Sequence, residues 1–483
     1  MKKLEGVESE KKQNKKIERE IPYFITIVTL LVTSGLGPYT VFQKIKDIHL
    51  LPAIRAESVK ILNRIDLLGI DPLTALSQTK GRKSSNALFE FLNGYVSSIQ
   101  SGGNVANYLK SKMASAFEKF VNSQKQSVER ISAVMNAYMT MQVVILAVFI
   151  LIASTSSNQV PGLFGSGNDS NLQYFILILS PVVSAIFMKL VQNMNYANVN
   201  ELEIKKILRF AIPSILAIVI LVYTNLLSGV ITNSYLIGGG LVVASLWPAL
   251  KFSRIYALNR DAEKATPLIL RDITEARKAG IGPEKCIIHA CKRKDFRLFN
   301  PIANSISSKL EWGIPLRNIF ESLQNEIKNF QVLISFRILF EVIFSGGGNV
   351  NTLDSLADTS EKIYNSEKAK QEELMPFVYI GFILIGMTGF TTLLVTDSFT
   401  QIQQQNLDLA KGNNQNPNTE SLIGLFSISL LVQSWLAGPF IGKLTTGSYS
   451  GGFRYSIILV IITLVDIALV QFHILNISSL FKT

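Results

Sequence analysis

Chemistry-bearing side chains are scarce in this chain of 483 residues, which has two cysteines, three histidines and three tryptophans, and charge at only 17% of positions. The cysteines, Cys286 and Cys291, lie in a helical stretch where their side chains point to different faces, so no disulfide framework is available. His289 lies between them, but Cys-x2-His-x-Cys is no standard zinc spacing, and both thiols read as small buried apolar groups. With His49, His289 and His473 the full histidine set, neither a histidine-centred nucleophile nor a histidine-rich metal site is expected. A machine that itself consumes ATP needs a phosphate-cradling loop. The nearest approach, Gly438-Pro439-Phe440-Ile441-Gly442-Lys443-Leu444, is one residue short and has Leu444 where Ser or Thr must reach magnesium. It reads as the end of a membrane helix with a snorkelling lysine. No catalytic residue, metal or cofactor is expected, and the chain is not read as an enzyme.

What is abundant is apolar surface: 48% of residues are hydrophobic and mean hydropathy is +0.29. The charge content lies below the roughly 25% of soluble proteins, so an all-α polytopic membrane protein is expected. The net charge of +12 then marks a cytoplasmic face and contact with anionic lipid, not nucleic acid. Seven segments are long enough to span, at 134–154, 172–191, 209–228, 234–252, 375–396, 421–442 and 455–475. The 155–171 connection has no Lys or Arg, and 397–420 has Lys411 alone. By contrast, Lys189, Lys205, Lys206 and Arg209, then Lys251 and Arg254, then Lys443 and Arg454 crowd the other connections. The positive-inside rule puts the N-terminus in the cytoplasm and the C-terminus outside a cytoplasmic membrane. The sequons at Asn168 and Asn476 both fall on the expected outer side as glycosylation candidates.

The organisation is a duplication. Pro22 answers Pro267 (267 − 22 = 245), and Ser34-Gly35-Leu36-Gly37-Pro38 answers Ala279-Gly280-Ile281-Gly282-Pro283 at the same offset. Ser101-Gly102-Gly103-Asn104-Val105 is set opposite Gly346-Gly347-Gly348-Asn349-Val350, and Gly69-Ile70-Asp71-Pro72-Leu73 opposite Gly313-Ile314-Pro315-Leu316 with a short indel. The expected layout is a solvated charged tail at 1–20, with no features of a cleaved leader. Next come a cytosolic helical domain at 21–130, four spans within 131–254, a second helical domain at 255–372 and three spans within 373–483. The uncharged stretch Ile21 to Phe42 has the length of a span. Its counterpart carries Arg271, Asp272, Glu275, Arg277 and Lys278, so both copies are expected to be cytosolic amphipathic helices. The buried faces would be Phe24, Val28, Leu31 and Gly35 in the first, and Ile269, Ile273, Ala276 and Gly280 in the second.

Three sets of residues stand out. Arg271, Arg277, Lys278, Lys285, Lys292, Arg293, Lys294 and Arg297 form a basic cluster that reads either as a solvated face or as a dock for an acidic partner. Gly102, Gly103, Gly346, Gly347 and Gly348 join helices at matching places, as plain turns or as hinges of a moving bundle. Asp466 lies inside the last span, where an ionisable group is functional or is paired with a neighbour such as Gln433 or Gln471; Asn225 and Gln142 read as interhelical hydrogen-bond links.

Each block resembles the type II secretion system F-protein domain, on the stretches Pro22 to Pro38 with Ser101 to Val105, and Pro267 to Pro283 with Gly346 to Val350. Four spans after the first block and three after the second resemble the archaeal platform proteins of type IV pili and the archaellum. The resemblance implies a non-enzymatic platform whose cytosolic domains dock a hexameric secretion ATPase and pass its movement to membrane helices, which lift pilin-like subunits into a filament. Symmetry with such a motor implies a homodimer or higher oligomer. The more basic second block is expected to make the main ATPase contact. The competing reading is a secondary transporter with duplicated halves, which an intramembrane Asp466 would suit.

Overall fold

A computed structural model describes residues 2–78, 86–157, 179, 182–190, 233–293, 295–346, 348–409 and 419–471. All regular structure among them is helical. The first six helices are α1 (Lys2–Thr33), α2 (Pro38–Lys46), α3 (Pro52–Leu68), α4 (Pro72–Ser77), α5 (Asn86–Gln100) and α6 (Val105–Ser157). The next six are α7 (Asn233–Lys278), α8 (Pro283–Cys291), α9 (Asn300–Glu311), α10 (Leu316–Glu326), α11 (Phe330–Phe344) and α12 (Val350–Leu409), and they repeat the first six helix for helix. A pair, α13 (Thr419–Thr446) and α14 (Phe453–Gln471), closes the chain's described part.

Local chemistry sets the boundaries in both copies. Gly35 (φ 92°) and Gly280 (φ 84°) end the first helix in the left-handed region, and Pro38 and Pro283 open the second, where a missing N–H costs nothing. The side chains of Asn104 and Asn349 cap the long helices α6 and α12, accepting from the N–H groups of Asn107 and Thr352 at 3.0 and 2.8 Å. The turn before each cap corrects the sequence alignment. Gly102 (φ 66°) and Gly346 (φ 76°) hold the same left-handed place, so Ser101-Gly102 matches Ser345-Gly346, and the second copy has one more glycine before its asparagine. Gly347 lies outside the described residues.

The described chain divides into two compact units. Unit 1 gathers residues 1–125 and 256–369, and thus both blocks; unit 2 gathers 126–255 and 370–483. Within unit 1 the blocks share one apolar core and run in the same sense. Tyr23 of α1 meets Phe330 of α11 edge to face, ring centroids 5.2 Å apart, and Gln124 of α6 donates to Glu367 of α12 at 3.3 Å. Towards the other end Lys44 of α2 lies over the ring of Phe344, 4.2 Å from its centroid.

The first helix departs from the expected one-sided pattern. Residues Glu20 to Leu31 are buried on every face, Thr26 and Thr29 included, because α1 runs through the middle of the core between its own block and α11. In the second copy Ile269, Ile273 and Ala276 of the expected face are buried while Leu268 and Glu275 are exposed, but Gly280, like Gly35 in the first copy, is exposed, because each glycine turns the chain out of the helix in the left-handed region. Both thiols are free and buried.

Unit 2 holds most of the apolar helix. Four helices among the described residues are long and apolar enough to cross a membrane: Val105–Val148, Ser234–Lys278, Val350–Val395 and Tyr449–Val470. They contain the segment expected at 234–252 and most of those expected at 134–154, 375–396 and 455–475. Helix α13 overlies 421–442, whereas 209–228 and half of 172–191 lie outside the described residues. The Gly438 to Gly442 stretch, a failed phosphate loop by sequence, is a helix-packing face. Gly442 is so close to Gly452 that a Cβ there would lie 2.1 Å from the Gly452 nitrogen, and Gly438 is as tightly packed against Ser456.

Candidate partner-docking site

The second block's two motif turns are built into one structure at one end of unit 1. Arg277, in the last turn of α7, donates through Nε to the Gly348 carbonyl at 2.6 Å and through Nη1 to the Ile281 carbonyl at 2.9 Å. Gly348 lies against the ring of Pro283, where a Cβ would come within 3.0 Å of Cγ. The Gly-x-Gly-Pro turn and the glycine-rich turn are therefore clamped to each other. The first block has Val32 at the place of Arg277 and no donor to make this clamp.

The remaining cations of the basic cluster are mostly engaged by carboxylates of the same unit. Arg271 reaches three acids spaced along one face of α12: Asp354 at 3.1 Å, Asp358 at 2.8 Å and Glu361 at 3.0 Å. Arg293 pairs with Asp272 at 2.8 Å and with Asp295 at 3.7 Å. Lys278 pairs with Glu275 at 2.9 Å, and Lys292 with Glu311 at 2.5 Å. Hydrogen bonds donated to these acids raise the Arg271, Lys278 and Arg293 pKa values, Glu361, Glu275 and Asp272 being the leading causes, so all three stay charged. Lys285 and Arg297 are exposed, the latter with a left-handed backbone at φ 48°. Lys294 lies outside the described residues. Five of the eight basic residues are thus part of a mixed-charge surface held together by the unit itself.

Polar contacts that sequence reasoning missed join the blocks. Glu341 of α11 takes Arg337 at 2.5 Å and Lys44 of the first block at 3.5 Å, while the Arg337 guanidinium lies 5.4 Å from the centre of the Phe320 ring. Each block also uses a carboxylate of its first helix to hold the start of its third, on the helix itself in the first block and on the 3-10 turn just ahead of it in the second. Glu20 accepts from the Ala53 and Ile54 N–H groups at 3.1 and 2.7 Å, and Asp261 from the Leu298 N–H at 3.3 Å. One signal was available, a carboxylate two to six residues ahead of the motif proline in each first helix, Glu20 before Pro22 and Asp261 before Pro267.

In unit 2, Gln142 accepts from Gln433 at 2.7 Å and donates to Ser184 at 3.4 Å, the interhelical link expected of it. Gln433 is therefore taken by Gln142. Asp466 instead abuts α12 at Gly389, where an added Cβ would lie 3.1 Å from its Oδ2, and that oxygen has no hydrogen-bond partner among the described residues. Asn168, Asn225 and Asn476 lie outside the described residues.

Residues 24–153, from within α1 to near the end of α6, match the family described as type II secretion system (T2SS), protein F. The chain carries a type II secretion system F domain. Proteins of this family are membrane platforms of secretion- and pilus-type assembly machines and work with secretion ATPases. The matched F domain is the first block with its long outgoing helix, and the second block repeats its six helices in order. A curated relative, the uncharacterized protein MJ1286 of Methanocaldococcus jannaschii, is 20% identical over 489 residues, covering 93% of this chain and 79% of its own length. No solved structure matches the chain.

Proposed function

We propose that this protein is the cytoplasmic-membrane platform of an archaeal type IV pilus or archaellum assembly machine. In this reading it couples a cytosolic hexameric secretion ATPase to the insertion of pilin-like subunits into a filament. The observation that carries it is the form of α6 and α12. Each begins at a motif turn of an F-type block and continues without a break into an apolar stretch of spanning length, over 53 and 60 residues. At 1.5 Å per residue such helices are about 80 to 90 Å long. A single helix resists bending far better than a loop-linked pair, so a displacement at its first turn is delivered along its length. Pro376, inside α12, removes one helix hydrogen bond and gives that helix a defined point of bending.

In this reading both blocks and the N-terminus are cytosolic, the C-terminus is outside, and the platform works as a homodimer or higher oligomer under its motor. The mixed-charge face around Arg271, Arg293, Lys285 and Arg297 guides the ATPase electrostatically. The archaeal relative supports the setting, and the F domain supports the partner class. The test is capture of purified pilus-type secretion ATPases by full-length protein in detergent, at low and moderate salt, together with filament counts on cells lacking the gene. Capture with loss of filaments is expected. Absence of both, with solute flux in reconstituted vesicles, would replace the platform by a transporter.

A further inference from the structure

Unit 1 is well packed, yet it leaves three of its largest apolar side chains in solvent at equivalent places of the two blocks. Leu67 and Leu68 at the end of α3 are 77% and 69% exposed, and Trp312 at the end of α9 is 79% exposed. Both sites precede a glycine in the left-handed region, Gly69 (φ 64°) and Gly313 (φ 73°), followed by an isoleucine, Ile70 or Ile314, that packs against the core. The geometry forces the exposure. The Ile70 N–H reaches back to the Arg64 carbonyl and the Ile314 N–H to the Lys309 carbonyl, which seats the isoleucine inward and turns the preceding residue outward. The arrangement occurs twice, with Leu-Leu in one block and Trp in the other.

These turns stand at the same end of unit 1 as the clamped motifs. Tyr39, in the first turn of α2, donates to Asp66 beside Leu67 at 3.0 Å. In the second block the 3-10 turn that leads into α9 is tied to Asp261, deep along α7, and α9 ends where Glu311 pairs with Lys292 at the close of α8. Phe344, 74% exposed before the Gly346 turn, adds a further ring there. Exposed carboxylates flank the knobs, Asp66 and Asp71 in one block and Glu311 in the other, and they oppose contact with anionic lipid headgroups.

We infer that Leu67, Leu68 and Trp312 are the apolar anchors by which the two blocks grip the motor, each entering an apolar pocket on one of two neighbouring, identical ATPase subunits. This rests on the platform reading above and names the surface that does the binding. A duplicated anchor fits a partner that presents the same pocket more than once, as a symmetric ring does. A buried tryptophan supplies large contact area, and such residues dominate protein interfaces while flanking charges chiefly steer. The basic cluster, largely ion-paired within the unit, is then the steering surface and not the grip.

The test uses full-length protein in detergent and purified hexameric secretion ATPases of pilus and archaellum type, with affinity read by surface-immobilised binding. Trp312→Ser and the pair Leu67→Ser with Leu68→Ser should each weaken binding about tenfold or more, and together abolish it, with thermal unfolding unchanged because the side chains already lie in solvent. Leu298→Ser, at an exposed apolar site on the opposite end of α9, should bind as wild type does. If wild type binds and the anchor variants bind equally well, the inference fails and the platform reading stands. If Leu298→Ser weakens binding as much as the anchor variants, the contact is non-specific stickiness and the inference fails. If wild type captures no ATPase of either type, the platform reading fails and this inference falls with it.

Discussion

Removing the Glu20 carboxylate should loosen the first block from its third helix. Glu20 is 9% exposed and its two oxygens take the Ala53 and Ile54 N–H groups, both at the start of α3, where the helix has no partners of its own for them. Glu20→Ala leaves those donors without acceptors inside protein. An unsatisfied buried donor costs about 1–3 kcal/mol, and loss of an N-terminal cap about 0.5–2 kcal/mol. Burial already penalises the charged carboxylate, which offsets part of this, so a net loss of about 2 kcal/mol is expected. Asp261→Ala, which breaks one longer bond, should cost about half as much. The assay is hydrogen exchange at the Ala53 and Ile54 amides in detergent-solubilised protein, with thermal unfolding in parallel. If those two amides exchange as slowly in Glu20→Ala as in wild type, the cap is not what protects them and the reasoning is wrong.

The pH dependence of the same group has a definite sign. Desolvation is the largest influence and raises the Glu20 pKa above its ordinary 4.5, against the opposing pull of the Ile54 and Ala53 N–H groups. The folded state therefore holds its proton more tightly than the unfolded state. The stability this contributes is complete below the unfolded pKa and is lost as pH rises through the folded one. Glu20→Gln lacks the titration and should gain on wild type as pH rises from about 4.5. A difference that stays flat between pH 4 and pH 8, or that shrinks as pH rises, would show that burial does not dominate.

Three further outcomes are expected. Gly442→Ala would place a methyl 2.1 Å from the Gly452 backbone, with no flexible side chain to yield, and should cost about 3 kcal/mol or abolish monodisperse protein; Gly239→Ala, with nothing within 4 Å, should be neutral or slightly stabilising. Gln142→Leu and Gln433→Leu should each cost about 1 kcal/mol, and the double variant little more than either, as read by a thermal double-mutant cycle; additive losses would show that the 2.7 Å contact carries no coupling. Both thiols should resist alkylation at pH 8 in folded protein and react in denaturant, since burial raises the Cys286 pKa and pushes that of Cys291 up to about 12; fast labelling of the folded chain would contradict their burial.

The duplication was legible because turn chemistry is local. The Gly-x-Gly-Pro turns, the asparagine caps and the glycine before Ile70 and Ile314 each state their conformation within four residues. The extra glycine of the second copy was placed on the wrong side of the match, since Gly346-Gly347-Gly348 offers a sequence comparison no way to say which residue is the cap. The basic cluster was legible as composition but not as a site. The acids that engage Arg271 lie about 85 residues further on, and only the spacing of Asp354, Asp358 and Glu361 along α12 brings them to it. The anchors Leu67, Leu68 and Trp312 were invisible because an apolar residue beside a turn reads as core until its neighbour is seen to take the core position.

The hardest segment to read, Ile21 to Phe42, shows why a repeat need not repeat its hydropathy. In the first block the first helix is buried on every face from Glu20 to Leu31 and the fifth, α5, keeps exposed positions; in the second block the first helix keeps its charged face and the fifth, α11, is buried from Gln331 to Phe340 without interruption. The two stretches buried all round belong to the helices that meet, at Tyr23 and Phe330. Two identical blocks could not do this, since each would offer either two greasy helices to solvent or none to its partner. Divergence after duplication thus gave each copy half of a shared core. Neither half buries its central helix alone, and residues of both blocks complete one core. A motor gripping both blocks would therefore drive α6 and α12 together, which is the behaviour a platform requires and a pair of independent domains would not supply.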